Sequence, residues 1–138
     1  MTLANLPRWM RAALITSAAL NMVGAATFLP RSEALRRLGG LPVGSHALYL
    51  SVIATFTAIF GVGYLWLGLT GRDDPPFIAA GAVAKLAFAA LIAGFCWARQ
   101  LPPRAAIWGA GDLMLGATFV SWLWTARASR SRRAAHDA

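Results

Sequence analysis

Two long apolar runs each hold one formal charge near the middle, and the two charges have opposite sign. Residues 75–98 read PPFIAAGAVAKLAFAALIAGFCWA, with Lys85 inside the run. Residues 105–126 read AAIWGAGDLMLGATFVSWLWTA, with Asp112 inside it. Each run is close to the ~20 residues that a helix needs to cross a bilayer. A lone ionised side chain at the centre of such a helix costs about 2.5–3.5 kcal/mol on insertion scales. The short connection at 99–104 makes the two helices antiparallel neighbours, so Lys85 and Asp112 can neutralise each other. That need fixes which faces of the two helices meet.

The rest of the chain has the same character. Of its 138 residues 58% are hydrophobic and 13% charged, too few charges to cover a water-facing surface. An uncharged run from Ala12 to Leu29 follows Arg8 and Arg11, and a longer one extends from His46 to Gly71. Between them, RSEALRRLGG predicts a short helix. Ser32 suits its N-cap, Glu33 its first turn, Arg36 and Arg37 its last, and Gly39 the position past its end. Leu35, Leu38 and Leu41 recur every three residues, as in a helix lying in a membrane interface. GRDDPP then makes a tight turn that sets the second and third spans side by side and antiparallel, and Pro102 and Pro103 start the fourth.

The expected fold is all-α: a four-transmembrane-helix bundle with a short interfacial helix between spans 1 and 2. The spans fall at about 9–29, 46–69, 76–98 and 104–126, with the interfacial piece at 31–39. Residues 1–126 form a single membrane domain, and 127–138 a disordered basic tail with little to bury.

A formal charge of +8 raises the question of nucleic acid. The arginines stand at the ends of apolar runs, where membrane topology places them, so no nucleic-acid partner is expected. Twelve of the thirteen basic residues are arginine, the bias of a GC-rich bacterial genome, which points to a bacterial inner membrane. The lone lysine is Lys85. With four spans, one side holds Arg8, Arg11, Arg72, Arg127, Arg130, Arg132 and Arg133, and the other Arg31, Arg36, Arg37, Arg99 and Arg104. The excess and its dense C-terminal cluster put both termini in the cytoplasm. The six tryptophans read as an interfacial belt.

Each span has a stripe of small residues with polar groups on it. Ser17, Ala18, Gly24 and Ala25 flank Asn21; Ala54, Gly61 and Gly68 recur beside Thr57 and Tyr64. Gly81, Ala82 and Ala89 surround Lys85, and Ala105, Gly109 and Gly116 surround Asp112. Small residues mark close helix approach, and buried polar groups point there rather than at lipid. At ~1.5 Å rise per residue, Lys85 lies about 15 Å in from Pro75, Asp112 about 14 Å in from Pro103, and Asn21 about 21 Å from Pro7. A Lys85–Asp112 pair near mid-membrane, hydrogen-bonded by Asn21 and Tyr64, is the candidate site. It fixes helix register, or it lines a cavity for a proton, an ion or the head of an amphiphile.

No residue set points to catalysis. The other acids, Glu33, Asp73, Asp74 and Asp137, fall in loops or tail, so no carboxylate pair shares a membrane site. There is no metal-ligand cluster, nucleophile elbow or phosphate loop, and the single cysteine, Cys96, allows no internal disulfide. No metal and no cofactor is expected. In length and span pattern alone the whole chain resembles the small four-helix bacterial inner-membrane proteins called DoxX-like; Lys85 in GAVAKLAF and Asp112 in WGAGDLML are the positions where a signature of that family is expected. That resemblance implies the layout of four spans with an interfacial piece after the first, and polar residues inside the later ones. The functional expectation is a non-enzymatic integral membrane protein, an accessory or partner subunit or a hydrophobic-ligand binder. Its partners are membrane lipids and either another protein or a second copy of itself. The alternative is a small proton- or ion-coupled transporter acting as an oligomer.

Overall fold

The computed structural model describes residues 6–136, and over them the chain is all-helical. Residues 1–5 of the expected membrane domain and 137–138 of the expected tail lie outside the described residues. The helices are α1 (Arg8–Thr27), α2 (Glu33–Leu38), α3 (Ala47–Thr70), α4 (Pro75–Trp97) and α5 (Ala106–His136), the last reached through a 3-10 turn at Pro103–Ala105. Three segments, Ala47–Thr70, Pro75–Trp97 and Pro103–Ala128, are long and apolar enough to cross a membrane. α1 has the length but holds Arg11, Ser17, Asn21 and Thr27, and it is less apolar than those three.

Local chemistry sets the ends. Asp74 caps α4, its Oδ1 accepting from the Phe77 amide at 3.1 Å, with Pro75 and Pro76 in the first turn, where a missing N–H costs nothing. His46 caps α3 through Nδ1, which accepts from the Leu48 amide. Gly71 ends α3 with φ 71°, the left-handed conformation that suits glycine. Ser32 stands at the N-cap of α2 but its side chain makes no capping bond. The left-handed residue after α2 is Gly40 (φ 72°), not Gly39, which keeps helical angles. The Leu41 amide bonds to the Arg36 carbonyl and the Gly40 amide to that of Arg37, the double closure of a Schellman motif.

Three arginines serve the unpaired carbonyls at the helix ends of neighbours. Arg11 donates to the Gly68 and Leu69 carbonyls of α3 at 2.9 and 3.0 Å. Arg36 folds back beyond α1 and donates to the carbonyls of Thr27, Leu29 and Pro30. Arg104 donates to the Arg37 carbonyl at the end of α2. An arginine one turn inside α1 is thus held by the polar end of α3.

The long helices pack as two antiparallel pairs, α1 with α3 and α4 with α5. Glycines seven residues apart make both possible. A side-chain carbon on Gly61 or Gly68 would run into Met22 and Asn21, or into Ile15. One on Gly116 would meet Leu86 and Lys85, and one on Gly109 would press on Ile92. Such contacts are the close backbone approaches typical of membrane helices. α3 and α4 leave the GRDDPP turn antiparallel but are not a close pair. The rings of Phe60 and Tyr64 stand against Phe77, 5.6 and 5.5 Å between centroids, and hold the two backbones apart.

Composition predicts a disordered tail from residue 127, whereas α5 continues to His136. Residues 117–136 contain no proline or glycine. Arginine and alanine are good helix formers, and extending an existing helix avoids the cost of nucleation.

Candidate functional site

The charged pair sits where the two helix pairs face each other. Lys85 of α4 donates from Nζ to Asp112 Oδ1 of α5 at 2.5 Å and to Asn21 Oδ1 of α1 at 3.2 Å. The Asn21 amide in turn donates to the Thr57 carbonyl of α3 at 3.1 Å. A helical carbonyl has a second lone pair free for such a bond, and Gly61 leaves room for Asn21 to reach it. All four long helices therefore meet in one polar layer. Tyr64 joins it through the face of its ring, whose centroid lies 5.5 Å from Lys85 Nζ, within cation–π range. Its hydroxyl does not bond the pair as the sequence suggests. It rests against Gly81, where any side chain would collide with it.

Lys85 is 4% exposed, but Asp112 is 23% exposed. The asymmetry has a visible cause, because Asp112 lines a cavity of about 330 Å³ between the two helix pairs. Asn21, Thr57, Tyr64 and Lys85 also border it. Away from this polar patch its wall is hydrophobic and largely aromatic, with Phe28, Phe56, Phe60, Phe88 and Trp108. Trp108 donates from Nε1 to the Gly39 carbonyl at 3.2 Å, so the segment after α2 is tied to this end of the cavity.

On the other side of the polar layer the inward side chains are buried against one another. Met10 and Leu14 of α1, Tyr64 and Leu67 of α3, Ile78 and Ala82 of α4, and Phe119 and Trp122 of α5 form one buried cluster. Tyr64 and Phe119 meet edge to face at 5.4 Å. Ser17, one turn before Asn21, is buried here and its hydroxyl has no partner among the described residues.

Four sequence candidates, Asn21, Tyr64, Lys85 and Asp112, are thus within one contact network. Several residues beside them are not evident from sequence. Trp108 and Trp122 read as belt residues, yet one lines the cavity and the other is buried in the cluster; Trp9, Trp66, Trp97 and Trp124 are exposed. The aromatic wall has a usable signal, since Phe56, Phe60 and Tyr64 recur every four residues along one face of α3. Arg36 reads as a topology charge, but it is 2% exposed and its Nε has no partner among the described residues. Among the described residues no three His, Cys, Asp or Glu side chains are grouped to hold a metal ion.

Comparison of the chain with family models, with curated proteins and with solved structures finds no match.

Proposed function

We propose that this chain is a small, non-enzymatic integral membrane protein of the bacterial inner membrane that binds an apolar ligand between its helix pairs. α1 is also a span, the first of four: it lies along α3, and its one inner arginine is placed at the carbonyl end of that helix. α2 lies in the interface, with Leu35 and Leu38 exposed toward lipid and Arg36 turned inward. Both termini are cytoplasmic, which puts the cavity in the outer half of the bilayer.

The observation that carries this reading is the cavity itself. It is concave, mostly apolar and edged by a few convergent polar groups, the usual make-up of a small-molecule site. A buried ion pair that serves structure alone needs further hydrogen bonds to meet its remaining lone pairs. Here the carboxylate is left partly open to the cavity. The test is native mass spectrometry of protein released gently from its own membranes. Wild type should carry a discrete extra mass that is absent in Gly111→Leu, which fills the cavity wall and leaves Lys85 and Asp112 in place. A wild-type protein as bare as the variant would remove the ligand-binding reading.

A further inference from the structure

We propose that the cavity selects an uncharged amphiphile whose head donates a hydrogen bond, a long-chain or isoprenoid alcohol in chemical class. The inference rests on the ligand-binding reading above and assigns the head chemistry that the wall would accept.

The argument is a census of donors and acceptors at the polar edge. Lys85 has three ammonium hydrogens, and three groups surround them: Asp112 Oδ1, Asn21 Oδ1 and the face of Tyr64. The Thr57 hydroxyl donates to the Ile53 carbonyl at 2.7 Å, so its hydrogen is engaged. Trp108 Nε1 is engaged by Gly39. The Tyr64 hydroxyl bonds nothing among the described residues but lies toward Gly81, which is not part of the cavity wall. The donors at the wall are therefore spent, except for one hydrogen of the Asn21 amide.

The acceptors are not. Asp112 uses Oδ1 for Lys85, and its Oδ2 receives no hydrogen bond among the described residues. A carboxylate has about four lone-pair sites, and this one borders the cavity with a quarter of its side chain open. An unmet acceptor of full charge beside apolar space is the strongest polar feature of the wall. It favours a head that brings a hydrogen. A carboxylate, a phosphate or a carbonyl brings only lone pairs and would face Asp112 with repulsion.

Charge then separates hydroxyl from ammonium. Lys85 already balances Asp112 at 2.5 Å, so a cationic head would place a second positive charge beside a compensated pair. A neutral hydroxyl satisfies the free oxygen without disturbing that balance. Size fits as well: at ~30 Å³ for a water-sized group, about 330 Å³ holds on the order of ten chain atoms. The remainder of a longer chain would leave between the helix pairs into lipid.

The experiment uses the full chain in phosphatidylcholine nanodiscs and three eleven-carbon probes brominated at the far end. One is the alcohol, one its methyl ether and one the carboxylate. The readout is quenching of Trp108 with the other five tryptophans replaced by phenylalanine. The alcohol should reach half-quenching at a concentration about tenfold or more below the other two, as a hydrogen bond to a charged acceptor allows. The preference should vanish in Lys85→Met/Asp112→Leu, with quenching by all three retained. Equal potency of the three probes in the wild-type background, or a preference for the carboxylate, would overturn the donor-head inference and leave the cavity standing. If no probe quenches beyond the level seen with Gly111→Leu, the cavity binds nothing and both readings fall together.

Discussion

From the level of Met10 and Trp122 to that of Lys85, inward side chains from all four long helices meet one another. Met10, Leu14, Ile78 and Phe119 are fully enclosed there. Beyond that level each helix pair remains tight, with Ala54, Ala89 and Ile92 buried, but the two pairs part and enclose a cavity. The same helices, with similar small-residue stripes, give a filled half and a hollow half. The difference lies in what stands between the pairs. In the filled half Tyr64 and Phe119 reach across and interlock. In the hollow half the phenylalanines stand at the wall, and Phe56 is 62% exposed. The polar layer is the boundary, and it belongs to both halves. Lys85 is sealed from the filled side, and Asp112 is open to the hollow one.

The boundary should be the most sensitive place in the molecule. Lys85→Ala or Asp112→Ala leaves one buried charge without its partner, a loss of about 3–5 kcal/mol. Lys85→Met/Asp112→Leu removes both and should recover most of it. Folded yield and unfolding midpoint in detergent measure this. A double variant no better than either single one would mean that the charges do not depend on each other.

Phenylalanine truncation contrasts the halves directly. Phe119→Ala empties a fully enclosed site and should cost about 3 kcal/mol or more. Phe56→Ala, at the cavity wall, should cost under ~1 kcal/mol. Equal losses would show that the hollow half is packed as firmly as the filled one. Glycine substitution sharpens the same contrast with a smaller effect. Gly81→Ala drives a methyl into the Tyr64 hydroxyl and should cost about 1–3 kcal/mol. Gly111→Ala meets nothing closer than Leu20 at 3.7 Å and should be neutral, or stabilising by up to ~1 kcal/mol from helix propensity. Unfolding midpoints of the two variants, compared side by side, decide it.

How much of this the sequence carries depends on the kind of interaction. The helices themselves are legible, because apolar run length, Asp74 before Pro75–Pro76, and Gly71 act locally. The meeting of Lys85 and Asp112 is legible for a global reason, since opposite charges in apolar runs have few other remedies. The pairing of helices is not. A short turn suggests that α3 lies on α4, and only the volumes of Phe60, Tyr64 and Phe77 show that it is held off. The cavity is hidden for the same reason, as it is set by which side chains fail to meet across pairs. Arg36 shows a further limit. Near a helix end it reads as a topology charge, and its burial depends on α2 folding back onto the carbonyls beyond α1.

The central claim is that one half of the molecule is filled and the other is open to an apolar guest. Two variants, each keeping one tryptophan, test it most directly: Trp108 at the cavity and Trp122 in the buried cluster. In bilayers of lipid brominated along the chain, Trp108 emission should be strongly quenched and Trp122 emission largely protected. Gly111→Leu should restore much of the Trp108 signal. Protection of Trp108 equal to that of Trp122 would contradict the account, because both halves would then be closed.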